Sequence, residues 1–568
     1  MWKFTTRPVL RGHTYAISSR KPQATQAAER ILRAGGNAFD AAVAGGLALA
    51  VTDPAMTGLG GDACALIYSA ETDSVVSING AGTAPRLATI GWYTQNCGGA
   101  IPVNDGLLCA SLPSFFDACY LLLKGWGVMS FHDVLQPAIE LARHGFPISE
   151  HLSQFLSDFS LKLEKYPTSR NIYFPFGRPL KAGETLQNPY LARVLETLAG
   201  AEQLCGPCER NVALKAVRDR FYQGDIALAM ADFIEKHGGL YRYDDFASYG
   251  AKVEAPISTK YKEYEIYKNR SANQGATDLL LLNLLEAYNL QKFGHNSVDY
   301  IHTCIEAAKL AYADREYLAD LDFVDIPYTK LLSKSYAADR RALIDPERAS
   351  LEFRPGALTE APLALNLSGA ANHEGDTSYL AVVDGNRNAV SFMPSLHSPF
   401  GTGVVLGDLG FMLNCRGDLY HLDPAHPNAL VPTKRPRSTL TPSIVIRNGK
   451  PFMILGSPGA DDQPLRVVQT FLNVVEFGMN IQEAIEAPRW STTSFPASEF
   501  PHTMYPGQIA VEDRIPVDVR SALKERGHIV DVKDSWSLNA TCAVMVESDT
   551  GTLHAGADPR GDSYALAW

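Results

Sequence analysis

Three shortages stand out in this sequence: long apolar runs, basic tracts and cysteine. The longest apolar stretch, Ala41 to Val51, is too short to cross a bilayer and is bounded by Asp40 and Asp53. The opening residues, Met1 to Pro8, hold no apolar core of the kind a signal peptide needs. No Lys/Arg-rich run occurs and the formal net charge is -11, so the basic footprint of a nucleic-acid binder is missing. Nine cysteines, odd in number and scattered over 568 residues, fit a reduced compartment better than a disulfide scaffold. The expectation is a cytoplasmic protein with neither a membrane nor a nucleic acid as partner.

Common catalytic signatures are missing too. There is no Walker loop and no His-Glu-x-x-His. Ser457 sits in Leu455-Gly456-Ser457-Pro458-Gly459, which is not the G-x-S-x-G elbow. Gly58-Leu59-Gly60-Gly61-Asp62-Ala63 resembles a dinucleotide loop but leads into the strand-like Ala63 to Ser69, so no helix dipole faces a pyrophosphate. The fourteen histidines show no metal-ligand spacing, and no cofactor or metal is expected. Cys205-Gly206-Pro207-Cys208 has redox-dithiol spacing, but the residues before it read as a helix end and loop, leaving a facultative surface disulfide or no role.

What is present is an ordinary globular composition, 46% hydrophobic and 20% charged, in a chain long enough for a large core. Helical patterning covers 23–34, the Ala-rich 37–51 that is apolar on most faces, 135–144, 302–317, 465–478 and 517–526. Strand character appears at 63–69, 380–383, 389–392, 403–406, 443–447, 452–455, 542–547 and 553–555. With no repeat and no interdomain linker, this predicts one layered α/β domain with its two halves interleaved.

Thr377 is the residue that this layout makes conspicuous. It follows a connector, Leu358 to Glu374, and precedes the core strand that begins Tyr379-Leu380-Ala381-Val382-Val383. A cut before Thr377 would free an α-amino group beside its hydroxyl, giving nucleophile and base in one residue. Such an amine titrates at about 7.7–8.0, so a useful fraction is free base near neutrality. In the uncut chain the same nitrogen is an amide and cannot take the proton.

Blocks along nearly the whole chain, from about residue 15, then bear on that idea. They are Ile31 to Val43 with Gly58-Leu59-Gly60-Gly61, Leu135 to Phe146, Phe221-Tyr222-Gln223-Gly224 with Gly238-Gly239-Leu240, and Glu306 to Arg315. After Thr377 come Phe400-Gly401-Thr402-Gly403, Arg435 to Thr439, Gly456 to Gly459 and Ala557-Asp558-Pro559-Arg560. In this order they resemble the gamma-glutamyltranspeptidase family of N-terminal-nucleophile hydrolases. The resemblance implies a four-layer αββα sandwich. It also implies a proenzyme cut between Asp376 and Thr377 into a large subunit 1–376 and a small subunit 377–568 that stay associated.

The same resemblance assigns roles. Thr377 is the nucleophile, and Ser395 is a supporting hydroxyl. Gly459 and Ala460 match the pair whose backbone N–H groups hold the oxyanion, where one lost donor costs about 3–4 kcal/mol. Asp418 matches the acid that grips a substrate α-amino group, and Ser438 and Thr439 match a hydroxyl pair on the substrate carboxylate. The chain also departs from the pattern. Ala81 stands where an arginine clamps the α-carboxylate, a strong specificity device. His397 replaces an asparagine, Cys415-Arg416 replaces Asn-Gln, and Ala460 replaces a glycine. Arg416 and Arg86 are candidate replacement clamps, and Asp461-Asp462-Gln463-Pro464 looks more like the branch that includes oxamate amidohydrolase.

The reading is an autoprocessed amidohydrolase or acyltransferase acting on a small-molecule amide or gamma-glutamyl bond. A true glutathione hydrolase, a non-processing scaffold protein and a Cys205/Cys208 redox protein are the alternatives.

Overall fold

The computed structural model describes residues 4–206, 208–358 and 377–568; the connector up to Asp376, Pro207 and the first three residues lie outside that range. Two seven-stranded antiparallel sheets face one another. One runs in the order Tyr564–Ala567, Ala16–Ser19, Leu380–Val383, Ala389–Ser395, Asp62–Ser69, Ser74–Gly80, Lys252–Glu254. The other runs Leu10–Gly12, Leu553–Ala557, Cys542–Val546, Lys450–Gly456, Ser443–Arg447, Tyr264–Lys268, Ile257–Tyr261. Each sheet mixes strands from before and after Thr377, so the two predicted pieces interleave within one body.

Period-two alternation assigns the layers. Leu380 and Val382 point outward into a core built with the helices Ala38–Thr52, Phe115–Trp126 and Phe131–His144. Tyr379, Ala381 and Val383 point inward and meet Ile444, Ile454 and Val544 of the facing sheet. On the far side, the helices Gly275–Leu285, Val298–Arg315 and Gln463–Val475 cover Val445, Met453 and Leu455. The result is the αββα sandwich.

The Ala38–Thr52 helix is buried along its whole length, as an all-round apolar helix should be. Asn37 caps it: its side chain accepts from the Phe39 and Asp40 N–H groups while Asp40 accepts from the Asn37 N–H. The predicted strand at 403–406 is not one. Gly403 (φ 75°) and Gly407 (φ 53°) bend the chain at both ends, and only an isolated bridge joins Val405 to Met412. The short strands Ala16–Ser19 and Tyr564–Ala567 and the helix Gly275–Leu285 were not foreseen.

The sheets touch at Gly456. A Cβ there would lie 2.2 Å from the Tyr379 ring, so only glycine fits under the aromatic face. The Tyr379 hydroxyl is 2.7 Å from Ser391 Oγ, which also accepts the Ser443 N–H across the gap at 3.0 Å. Gly456→Val should lower stability by about 1–3 kcal/mol through overpacking, read as an earlier urea or thermal midpoint.

Candidate active site

Thr377 stands just ahead of the strand Leu380–Val383, and its neighbour Ser378 already donates its N–H to Pro394 O at 3.0 Å. Ser395 ends the adjacent strand. The pairing brings their side chains together: Thr377 Oγ1 is 3.2 Å from Ser395 Oγ, and both residues are fully buried. Gln463 Nε2 donates to Thr377 Oγ1 at 3.3 Å. Ser395 Oγ in turn accepts the His397 N–H at 2.8 Å, with His397 in a left-handed conformation (φ 78°) of the kind that clusters at functional sites. Next to Thr377 in the chain, Ser378 Oγ donates to Asp53, which lies 3.5 Å from Lys21 Nζ.

The loop Ser457-Pro458-Gly459-Ala460 connects the strand Lys450–Gly456 to the helix Gln463–Val475. Gly459 (φ 100°) and Ala460 (φ 44°) both take positive φ. At Gly459 a side chain would collide with Arg466 Nη2 and Asn539 Nδ2 at 2.3 and 2.4 Å. Arg466 holds the loop from one side, donating to Pro458 O and Gly459 O at 2.6 and 2.7 Å. Gln274 Nε2 reaches Ala460 O at 3.2 Å and Thr439 O at 2.7 Å. These bonds hold the loop carbonyls from two sides, by Arg466 and by Gln274.

Arg416 is fully buried, with Nε 2.6 Å from Asp62 Oδ2 and Nη1 donating to Thr439 Oγ1 at 3.3 Å. Asp62 faces Ser395 directly in the strand register. Burial raises the Asp62 carboxyl above the usual range, and the Arg416 charge opposes that shift. Arg86, the other candidate clamp, is exposed and donates to Ser248 Oγ at 2.9 Å, near Asp245 at 3.6 Å. It is engaged at the surface and does not replace the arginine missing at Ala81. Ala81 follows Gly80, which pairs with Ala63, so it flanks the Asp62–Arg416 pair.

Asp418 lies on the other side of His397, with Oδ1 3.3 Å from Nε2, and its Oδ2 accepts the Asn104 N–H at 3.1 Å. Ser438 is buried, with its N–H bonded to Ala272 O at 2.8 Å. Contacts thus link Thr377, Ser395, His397 and Asp418 on one side, and Asp62, Arg416 and Thr439 on the other. The sequence reading did not single out Asp62, Gln463 or Glu499. Asp62 and Gln463 belong to stretches already noticed, while Glu499, 3.8 Å from His397 Nε2, carried no sequence signal at all.

A second cluster brings Glu316, His421 and His426 together, buried and within ligand range of one another. It does not suit a metal. His426 Nδ1 accepts the Asn428 N–H at 3.0 Å, so the proton of the neutral ring is on Nε2, facing Glu316 Oε2 at 3.5 Å. Arg437 Nη1 at 3.0 Å and Arg315 Nε at 3.4 Å already supply positive charge to this carboxylate. Burial disfavours its ionised form, yet Arg437 and His426 outweigh that and hold it well below the usual range. Cys205 and Cys208 are joined as a disulfide beyond the helix Pro189–Leu204, remote in sequence from the Thr377 constellation.

The gamma-glutamyltranspeptidase family model matches residues 24–568. The chain is 34% identical to the glutathione hydrolase-like YwrD proenzyme of Bacillus subtilis, over 96% of this chain and 96% of that one. It is 35% identical to the glutathione hydrolase proenzyme of Escherichia coli, over 96% of this chain and 90% of that one. Among solved structures it is similar to a cephalosporin acylase from Bacillus halodurans, with TM-score 0.88 and 30% identity, covering 100% of this chain and 98% of the other.

The Asp62–Arg416 pair gives a direct test of how the site is built. Asp62→Asn leaves a buried guanidinium without its counter-charge and should cost about 3–5 kcal/mol, measured as a lower urea midpoint against the parent protein.

Proposed function

The chain belongs to the gamma-glutamyltranspeptidase family and is an amide-bond hydrolase or acyltransferase of that family; we propose that it cuts itself before Thr377 and then works through the threonine so exposed. The observation that carries this reading is the placement of Thr377 Oγ1 between Ser395 Oγ and Gln463 Nε2, two residues ahead of the point where the sheets meet. The pieces 1–376 and 377–568 would stay together because each sheet contains strands of both.

In the processed enzyme, the α-amine of Thr377 takes the proton of its own hydroxyl. Oγ1 attacks the substrate carbonyl, and the backbone N–H groups of Gly459 and Ala460 receive the developing oxyanion. The ammonium returns the proton to the leaving nitrogen as the C–N bond breaks. Water or an acceptor amine then attacks the acyl ester, and the threonine hydroxyl is regenerated. Ser395 and Gln463 hold Oγ1 on its line of attack. Asp418 takes an ammonium group of the acyl portion, and Ser438 and Thr439 border the pocket.

Arg416 favours an acyl group unlike that of a simple glutathione hydrolase. Its charge is largely met by Asp62, so it is a weaker carboxylate clamp than an unpaired arginine. We place the protein in the cytoplasm, which suits its seven free cysteines. No helix among the described residues is long and apolar enough to cross a membrane.

A denaturing gel of the purified protein should show two pieces whose smaller member begins at Thr377, and Thr377→Ala should remain whole. An intact and inactive wild-type chain would end the proposal. Because the α-amine must be the free base, kcat/KM should rise with pH to a plateau with an apparent pKa of about 8. A pH profile flat from 6 to 9 would assign the base elsewhere.

A further inference from the structure

Gln463 is the first residue of the helix Gln463–Val475 and is fully buried. One short turn, Ala460–Asp462, separates it from Gly459. The start of this helix therefore carries the candidate oxyanion donors together with the amide that touches Thr377 Oγ1.

The orientation of that amide is fixed by its neighbours. Gln463 Oε1 accepts the Thr441 N–H at 3.2 Å. A backbone N–H can only donate, so the amide oxygen belongs on that side and Nε2 on the other, 3.3 Å from Thr377 Oγ1. Thr441 is itself anchored. Its Oγ1 donates to Asp278 Oδ2 at 2.8 Å, and Lys268 Nζ donates to Thr441 O at 3.2 Å and to Asp278 Oδ1 at 2.6 Å. Lys268, Asp278 and Thr441 are all fully buried. Gln463 thus presents an N–H to the threonine oxygen and has no atom there that could take the threonine proton.

A fixed donor acts differently on the two halves of the reaction. In the first half, Oγ1 bonds to the amide carbon, the C–N bond breaks, and the hydroxyl proton reaches the leaving nitrogen by way of the α-amine. Oγ1 ends as an ester oxygen with little charge. In the second half, water bonds to the ester carbon and gives a proton to the α-amine. The C–Oγ1 bond then breaks, its electron pair stays on Oγ1, and the ammonium returns the proton there. Oγ1 gains negative charge as it departs, and a donor already aimed at it stabilises that charge without rearrangement. Attack benefits less, because the same hydrogen bond occupies a lone pair of the nucleophile. Only a contact that strengthens on the way to a transition state speeds that step.

Resting on the Thr377 reading above, we infer that Gln463 is a catalytic residue of ester breakdown, its N–H stabilising Oγ1 as the leaving group. The part extends to self-cleavage. There Oγ1 attacks the Asp376 carbonyl, the C–N bond breaks, and the nitrogen takes the hydroxyl proton to become the Thr377 amine. The ester that then joins the two pieces is hydrolysed by the second half just described.

The test uses Gln463→Leu and Gln463→Met, which remove the donor at similar bulk. On protein shown by gel to have split, stopped-flow mixing with gamma-glutamyl-p-nitroanilide reads the release of p-nitroaniline. Each variant should give a burst of about one equivalent, at a rate close to that of wild-type acylation. Steady turnover should then be about 10- to 100-fold slower than in the wild type, the loss of one hydrogen bond to a charged oxygen. Acid-quenched samples of the variants should carry the acyl group on the 377–568 piece, seen as added mass.

Turnover equal to that of the wild type overturns the inference. So does a loss in the burst rate with no acyl group accumulating, which would assign Gln463 to attack or to structure alone. Should Gln463→Leu not fold, the more adaptable Gln463→Met decides. Where neither variant splits, or where the wild type splits but does not take this anilide, self-cleavage is read instead. Hydroxylamine attacks esters and spares peptide bonds, so it should part the variant chains between 376 and 377; folded chains that resist it overturn the inference. A wild-type protein that never splits overturns the reading on which it rests.

Discussion

The contact between the Tyr379 ring and Gly456 sets the geometry on which the active site depends. Facing sheets ordinarily stand about 10 Å apart. Here an aromatic ring from one sheet lies against a residue with no side chain in the other. Thr377 is two residues before that ring, and Gly459 is three residues after that glycine. The distance between Thr377 and the candidate oxyanion donors is thus set by core packing rather than by loop flexibility. Ser391 reinforces it by holding the Tyr379 hydroxyl and the Ser443 backbone at one oxygen.

Around this junction the pocket walls are made of buried ions. Asp62 with Arg416, Asp461 with Arg315, and Lys268 with Asp278 all pair at 2.5 to 2.6 Å with nearly complete burial. Pairs of this kind are poor evidence for stability, since desolvation offsets most of the attraction. Their effect is to say where charge is cancelled and where it is not. Two of the three give a counter-charge to Asp62, opposite Ser395 in the sheet, and to Asp461, next to Ala460. Asp418 and Glu499 differ from these: among the described residues neither forms an ion pair with an arginine or lysine, and both lie beside His397.

The sequence made much of this legible because the relevant signals were local. The Ala-rich, mostly apolar 37–51 predicted a buried helix, and the apolar run after Thr377 predicted a core strand; both are present. Thr377 was singled out by its place ahead of a strand, and Ser395, Asp418 and Gly459 by the family resemblance; the fold links Thr377, Ser395, His397 and Asp418 by contacts. What stayed hidden depends on long-range pairing. Ala16–Ser19 reads as nothing in isolation, being four residues long, and becomes a strand because Leu380–Val383 and Tyr564–Ala567 pair on either side of it. The 403–406 segment has strand composition, but its flanking glycines close it into a loop. Arg86 and Arg416 looked alike as spare cations; only the fold shows one tied to Ser248 at the surface and the other buried on Asp62. Glu499 was invisible because its neighbours in space lie at 397, 418 and 461.

The position of Thr377 relative to its strand reconciles self-cleavage with stability. The ladder that holds Leu380–Val383 starts with the Ser378 N–H on Pro394 O and continues on the other side with the Arg20 N–H on Tyr379 O. A break between 376 and 377 removes none of these bonds. The strand is flanked by Ala16–Ser19, from the earlier part of the chain, and by Ala389–Ser395, from the later part. A new terminus made there would gain an amine while the residue behind it stayed fastened in the sheet. One residue further on, the cut would sever the backbone that the ladder grips; several residues earlier, the amine would belong to a different residue from the hydroxyl. The proposed cut is thus the last peptide bond that can be broken without severing the backbone held by the ladder, and the one whose breakage would give the Thr377 hydroxyl its own base.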